Sequence, residues 1–192
     1  MHGYYDNKPF PAPLTPAQRK RFKQTRIVGH LRLASEGTDQ GFTKPREKHS
    51  FIGLPSVIIS AVASKDRIIV WHVSKRWNGE AAAAVYRGPM RAALRRTWGV
   101  RKSFTIVEDG DRKGNQSEKA KKAKKEVGIH AMVLPPRSPC WMPLDYGLWD
   151  RIIDQVVDTA PAGVESKDSC TARLEACAKS LPRGTVAKRS QR

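Results

Sequence analysis

Apolar positions along the chain fall into two rhythms, and their order predicts the elements. Val57-Ile58-Ile59-Ser60-Ala61-Val62-Ala63 is an apolar run of strand length, as expected of a strand buried on both faces. A Ser64-Lys65-Asp66 turn leads into a second run, Arg67-Ile68-Ile69-Val70-Trp71-His72-Val73. So short a connection predicts an antiparallel hairpin. A third strand is expected over residues 103–108, ending at Asp109, and a short fourth over residues 130–134. Between the strands the rhythm turns helical. Residues 79–98, GEAAAAVYRGPMRAALRRTW, have helical composition with a break at Gly88-Pro89. Residues 116–127 form a lysine-rich amphipathic helix. Leu148, Ile152, Ile153 and Val156 mark one face of another, from about residue 144 to 159.

The ends of the chain are less regular. Residues 1–14, rich in proline and aromatic side chains, read as extended. Thr15-Pro16 supplies a helix start, with a capping hydroxyl followed by proline at the first helical position. The basic helix that follows is expected to reach about Leu33, with Arg19, Lys20, Arg21, Lys23 and Arg26 along it. Residues 35–55 read as a polar connector. A short helix is expected near 168–180, and the basic tail RGTVAKRSQR has the composition of a disordered segment. A hairpin followed by alternating helices and strands predicts an α/β mixed sheet flanked by helices. Asp109 would then stand at the carboxyl end of its strand, where open α/β sheets place ligands.

Charge narrows the partners. The chain carries 36 Lys and Arg against 18 Asp and Glu, a formal charge of +18. Such a surface attracts polyanions, because neutralising phosphates releases condensed counterions. Nucleic acid is the leading partner class. No apolar run approaches a membrane span, and the first residues lack the regions of a signal peptide. Cys140, Cys170 and Cys177 have no metal-ligand spacing, and their odd number argues against a disulfide framework. An intracellular, reducing home is expected, and the charge favours the nucleus. Trp71, Trp77, Trp98 and Trp149 lie in apolar patterns and are expected in the core. His72 and His130 have no matching partner for a metal, and Cys140 has no base beside it to make it a nucleophile.

Carboxylates at element ends are the candidate chemistry. Asp109 and Asp111 make good turn residues and Asp145 a good helix opener, so spacing alone leaves a structural role open. The letters around them go further. Ile106-Val107-Glu108-Asp109, then Leu134-Pro135-Pro136-Arg137-Ser138-Pro139, then Pro143-Leu144-Asp145-Tyr146 with Leu148-Trp149, resemble the catalytic core of mariner-type transposases. That family belongs to the DDE/DDD superfamily and has a ribonuclease H-like fold. Thirty-five residues separate Asp109 from Asp145, one more than is usual there. Tyr4-Tyr5-Asp6-Asn7-Lys8-Pro9-Phe10 resembles the setting of the family's first acid, with Lys8 and Phe10 matching.

The resemblance spans roughly residues 4–157 and implies a catalytic domain over 1–160, with part of its first strand missing. Residues 161–192 would form a basic tail with a short helix. It further implies that Asp6, Asp109 and Asp145 hold two Mg²⁺ ions, for which Mn²⁺ can substitute, with Asp109 bridging both. Asp111 is a weaker alternate. The implied activity is metal-dependent cleavage and transfer of DNA strands, acting on transposon ends and target DNA, in an enzyme that works as a homodimer. Lys119, Lys121, Lys122, Lys124 and Lys125, with Arg19, Lys20 and Lys23, would grip the DNA backbone. The chain also departs from the pattern. Gly110 stands for the usual Asn, Gly114 for a frequent His, and Cys140-Trp141-Met142 for the usual residues of the turn. The family's helix-turn-helix region has no counterpart within these residues. The alternative expectation is a basic DNA-binding protein that keeps the fold and has lost catalysis.

Overall fold

A five-stranded mixed sheet with helices on both faces organises the chain. The structure, a computed structural model, describes residues 2–12, 14–20, 56–64, 67–135, 141–182 and 184. Lys23 and most of the expected basic helix, the connector 35–55, the turn residues 136–140 and the tail from 185 lie outside these.

The strands are β1 (His2–Pro11), β2 (Ser56–Ala63), β3 (Ile68–Ser74), β4 (Phe104–Glu108) and β5 (Ile129–Val133), in the order β3-β2-β1-β4-β5. β2 pairs antiparallel with both β1 and β3, which is the expected hairpin. β4 runs parallel to β1 and β5 parallel to β4.

The first strand needs correcting. Expected to be curtailed near Asp6, β1 is instead a ten-residue strand at the centre of the sheet. It pairs with β2 along Tyr4–Pro11 but with β4 only from His2 to Tyr5. Past Asp6 its β4 side is an open edge, which is where a strand tolerates proline without losing a ladder hydrogen bond. Pro9 and Pro11 therefore do not end it.

Alternation along the strands builds two cores. One face carries Tyr5, Val62, Phe104 and Ile106 against α1 (Gly79–Val85), α2 (Arg91–Trp98) and α3 (Glu118–Val127). The expected break at Gly88-Pro89 is a π-helical turn, Tyr86–Met90, joining α1 to α2. The other face carries Phe10, Ile59 and Ala61 against α4 (Trp149–Asp158) and α5 (Lys167–Ser180). Cys170, Leu174 and Cys177 of α5 share that core with Trp149 and Ile152, so α5 is an integral layer and not an appendage. Trp149 is fully buried, while Trp71, Trp77 and Trp98 pack partly buried against the cores.

Candidate active site

Two parallel strands deliver the first two acids side by side. Tyr5 stands opposite Glu108, so Asp6 on β1 and Asp109, the residue just past β4, follow side by side. Asp6 is 5 % exposed on the α4 face. Its Oδ2 accepts the Trp149 indole N–H at 2.8 Å and its Oδ1 the Asn7 backbone N–H at 2.8 Å. Asp145 lies in a π-helical turn, Leu144–Leu148, that opens α4. Such turns often mark functional positions in helices. Lys8, two residues beyond Asp6 on the same face, donates to Asp145 Oδ1 at 3.3 Å. β1 and the start of α4 are thus tied twice, by Asp6 with Trp149 and by Lys8 with Asp145.

The carboxylates feel one another. Burial pushes the Asp6 carboxyl up to about 7, and the Asp145 charge adds to this, with a smaller push from Asp109. The Trp149 and Asn7 hydrogen bonds favour the ionised form and oppose the rise. Asp109 is also raised, first by burial, with Asp145 contributing, while the Asn115 amide on its Oδ1 at 2.6 Å pulls the other way. The three acids expected from the sequence therefore share one electrostatic environment.

Among the described residues, no three acidic, histidine or cysteine side chains gather tightly enough to hold a metal ion alone. Mg²⁺ does not require that, since it takes one or two carboxylates and completes its shell with water and phosphate. A set of hard oxygen donors that feel one another's charge fits such an ion, because a cation would favour the ionised form of Asp6, which burial first and the Asp145 charge second oppose.

Under the acids lies a buried polar network. Glu108, fully buried, accepts from Tyr86 Oη at 2.6 Å, from Gln116 Nε2 at 2.7 Å and from Lys124 Nζ. Lys124 also donates to the Asn115 carbonyl at 3.0 Å. Even with this cation beside it, burial holds the Glu108 carboxyl above its ordinary range. Asn115 is itself fully buried, with its amide on Asp109 and the Asn7 amide 3.4 Å from its Oδ1.

Two expected DNA contacts need correcting. Lys124 is buried and spent on Glu108, not offered to solvent. Arg19 is 7 % exposed and donates to the carbonyls of Leu14 at 3.1 Å, Pro161 at 2.8 Å and Gly163. It fastens the segment after β1 to the α4–α5 connection. Lys119 and Lys121 are exposed but paired, with Glu80 at 3.1 Å and Glu118 at 2.8 Å. Lys20, Lys122 and Lys125 are exposed.

Asp111 serves the turn. It accepts the Trp77 indole N–H at 2.8 Å and the Lys113 backbone N–H at 3.1 Å. That indole explains Gly114, where a Cβ would stand 2.1 Å from Trp77 Nε1. Trp77 fills the space beside Gly114. Trp149 could have been anticipated, since it falls one helical turn after Asp145; nothing local announces Asn115.

No protein-family model matches the chain, and no curated protein matches it. Solved structures do. The chain is similar to the Mos1 transposase in its paired-end complex with the left transposon end, at 12% identity and a TM-score of 0.66, covering 98% of this chain and 50% of that one. The Mos1 mariner paired-end complex with Mn gives 12% identity and 0.62, covering 99% and 51%. The catalytic domain of Mos1 mariner transposase gives 12% and 0.59, covering 94% and 90%. This chain has the mariner catalytic-domain fold. The expected ribonuclease H-like mixed sheet is the one observed. The chain spans about half the length of the transposases in those complexes.

Proposed function

We propose that this chain is a mariner-type transposase catalytic domain that cleaves and joins DNA strands with the help of divalent metal. The observation that carries this reading is the placement of Asp6 on β1 beside Asp109, just past the end of the adjacent parallel strand β4, with Asp145 close enough to raise both. The similar Mos1 structures include a complex with a transposon end and one with Mn, which supports DNA and a divalent ion as the expected ligands.

In this reading Asp6, Asp109 and Asp145 hold Mg²⁺, with Mn²⁺ as a substitute. Bound there, the metal would activate an attacking water or 3′-hydroxyl and stabilise the leaving oxygen of a phosphodiester. The protein's own part is orientation. Trp149 and Asn7 fix both oxygens of Asp6, and Asn115 fixes Asp109. Lys8 neutralises Asp145 and is placed to turn toward a phosphate. Transposon ends and target DNA are the substrates, a homodimer the working unit and the nucleus its place.

The test is nicking of supercoiled plasmid by the purified chain. Cleavage should require Mg²⁺ or Mn²⁺ and be abolished by Asp109→Asn and by Asp145→Asn. Equal nicking by all three proteins would defeat the reading. One observation favours a second reading, DNA binding without catalysis: Lys8 sits on Asp145. Salt-sensitive DNA binding with no metal-dependent nicking is its signature.

A further inference from the structure

The census of charge pairing moves the expected phosphate-binding surface. Of the lysines on α3, Lys119, Lys121 and Lys124 are matched with Glu80, Glu118 and Glu108. Uncommitted cations collect elsewhere, around a groove of about 480 Å³ between α2, the α2–β4 connection and the end of α3. Arg91, Arg95, Arg101, Lys102 and Lys125 line it. Its one acid, Glu126, is bound to Arg87 Nε at 2.7 Å.

The groove is shaped as well as charged. Arg101 is anchored by its Nε to the Trp98 carbonyl at 2.9 Å, which leaves its outer guanidinium nitrogens available in a fixed place. The floor is close-packed backbone. Gly128 takes a left-handed φ of 73°, and a Cβ there would stand 2.3 Å from the Lys102 carbonyl oxygen. That tight approach brings Lys102 and Lys125 to one rim. Cations in the last turns of helices ordinarily complement the helix dipole. Arg101 and Lys102 belong to no helix, however, and dipoles do not account for their joining the others.

We infer that this groove binds the phosphate backbone of duplex DNA, at a site apart from the carboxylates. This rests on the reading of DNA as substrate. The groove sits before the first residue of β4, whereas Asp109 follows its last. Five residues of strand put about 17 Å between them. One helical turn of duplex is about 34 Å long, so DNA bound at the carboxylates can extend to the groove. Contacts of this kind carry orientation and affinity without sequence preference.

The experiment is fluorescence anisotropy with a random-sequence duplex over a series of salt concentrations. Variants are Arg95→Gln/Arg101→Gln/Lys102→Gln/Lys125→Gln, and Arg95→Gln/Lys102→Gln/Lys125→Gln, which spares the Arg101 anchor in case the first fails to fold. Each neutralised phosphate contact lowers the slope of log affinity against log salt by about 0.9, so the slope should fall by about three to four. Affinity near 0.1 M salt should drop about tenfold or more. Lys119→Gln/Lys121→Gln should change little, and the groove variants should lower the slope by the same amount in an Asp109→Asn background, in which nicking is lost. An unchanged slope in folded groove variants would overturn the inference while leaving the catalytic reading intact. A groove that prefers single-stranded RNA to duplex DNA would overturn it too.

Discussion

The indole N–H of Trp149 donates to Asp6 Oδ2 at 2.8 Å, joining the helix behind the third acid to the strand that bears the first. Trp149 also packs edge-on to Phe10, with centroids 5.3 Å apart. One side chain therefore sets both the spacing of α4 from the sheet and the orientation of a buried carboxylate. Trp149→Phe keeps most of the packing and removes the donor. Urea denaturation should show a loss of about 1–3 kcal/mol. Asp6, without that hydrogen bond, should titrate above 7 by carbon-detected NMR. An Asp6 titration that does not move would show the bond to be incidental.

Stability of the metal-free protein should fall as pH rises toward neutrality. Asp6 has a folded pKa of about 7 against an ordinary 3.8, so between those values the folded state holds the extra proton. Stability therefore decreases with rising pH across that window, by up to ~4 kcal/mol for three units. Asp109 is shifted in the same direction. Glu165 works oppositely. Arg173 holds it below the carboxylate range, and that contribution is lost only as pH falls through its depressed value. Thermal melts from pH 4 to 8 check this. Asp6→Asn should flatten the decline, and Mn²⁺ should reverse it at pH 7.5.

The pair beneath the site should be costly to break. Lys124→Met leaves Glu108 buried without its cation, a loss of about 3–5 kcal/mol. Lys124→Met/Glu108→Gln should recover most of it, because neither group then needs a counter-charge. Denaturant midpoints of the three proteins decide the matter. If the double variant is no better than the single, shape and not charge is what Lys124 supplies.

Arg19 offers a test of a different kind. Arg19→Ala removes donors to three carbonyls and should cost about 2–3 kcal/mol, while the salt slope of DNA binding stays as it was. A reduced slope with unchanged stability would return Arg19 to the role its sequence context suggested.

Much of the fold was legible because local pattern and tertiary structure agree. The apolar runs of β2 and β3, the strand before Asp109 and the one-sided helix α4 all bury what their periodicity says they should. β1 was harder to read, since its prolines are tolerated only because β4 stops short of them. Lys124 was hidden in a run of lysines, yet it shares a helical face with Ala120 and Ala123, both buried. Its spacing, four after Ala120 and one after Ala123, was a usable sign that the charge faces inward. Arg19 gave no such sign, because two of the carbonyls it binds, those of Pro161 and Gly163, are more than 140 residues away. Of the candidate site, the motif letters single out Asp6, Asp109, Asp145 and Lys8. Asn115 and Trp77 act across elements, and only the packing reveals them.

Titration calorimetry of Mn²⁺ into the DNA-free protein at pH 7.5 tests the central claim most directly. The account predicts saturable binding, roughly micromolar to millimolar, weakened at least about tenfold in Asp109→Asn and unchanged in Asp111→Asn. Identical isotherms for all three proteins would contradict it.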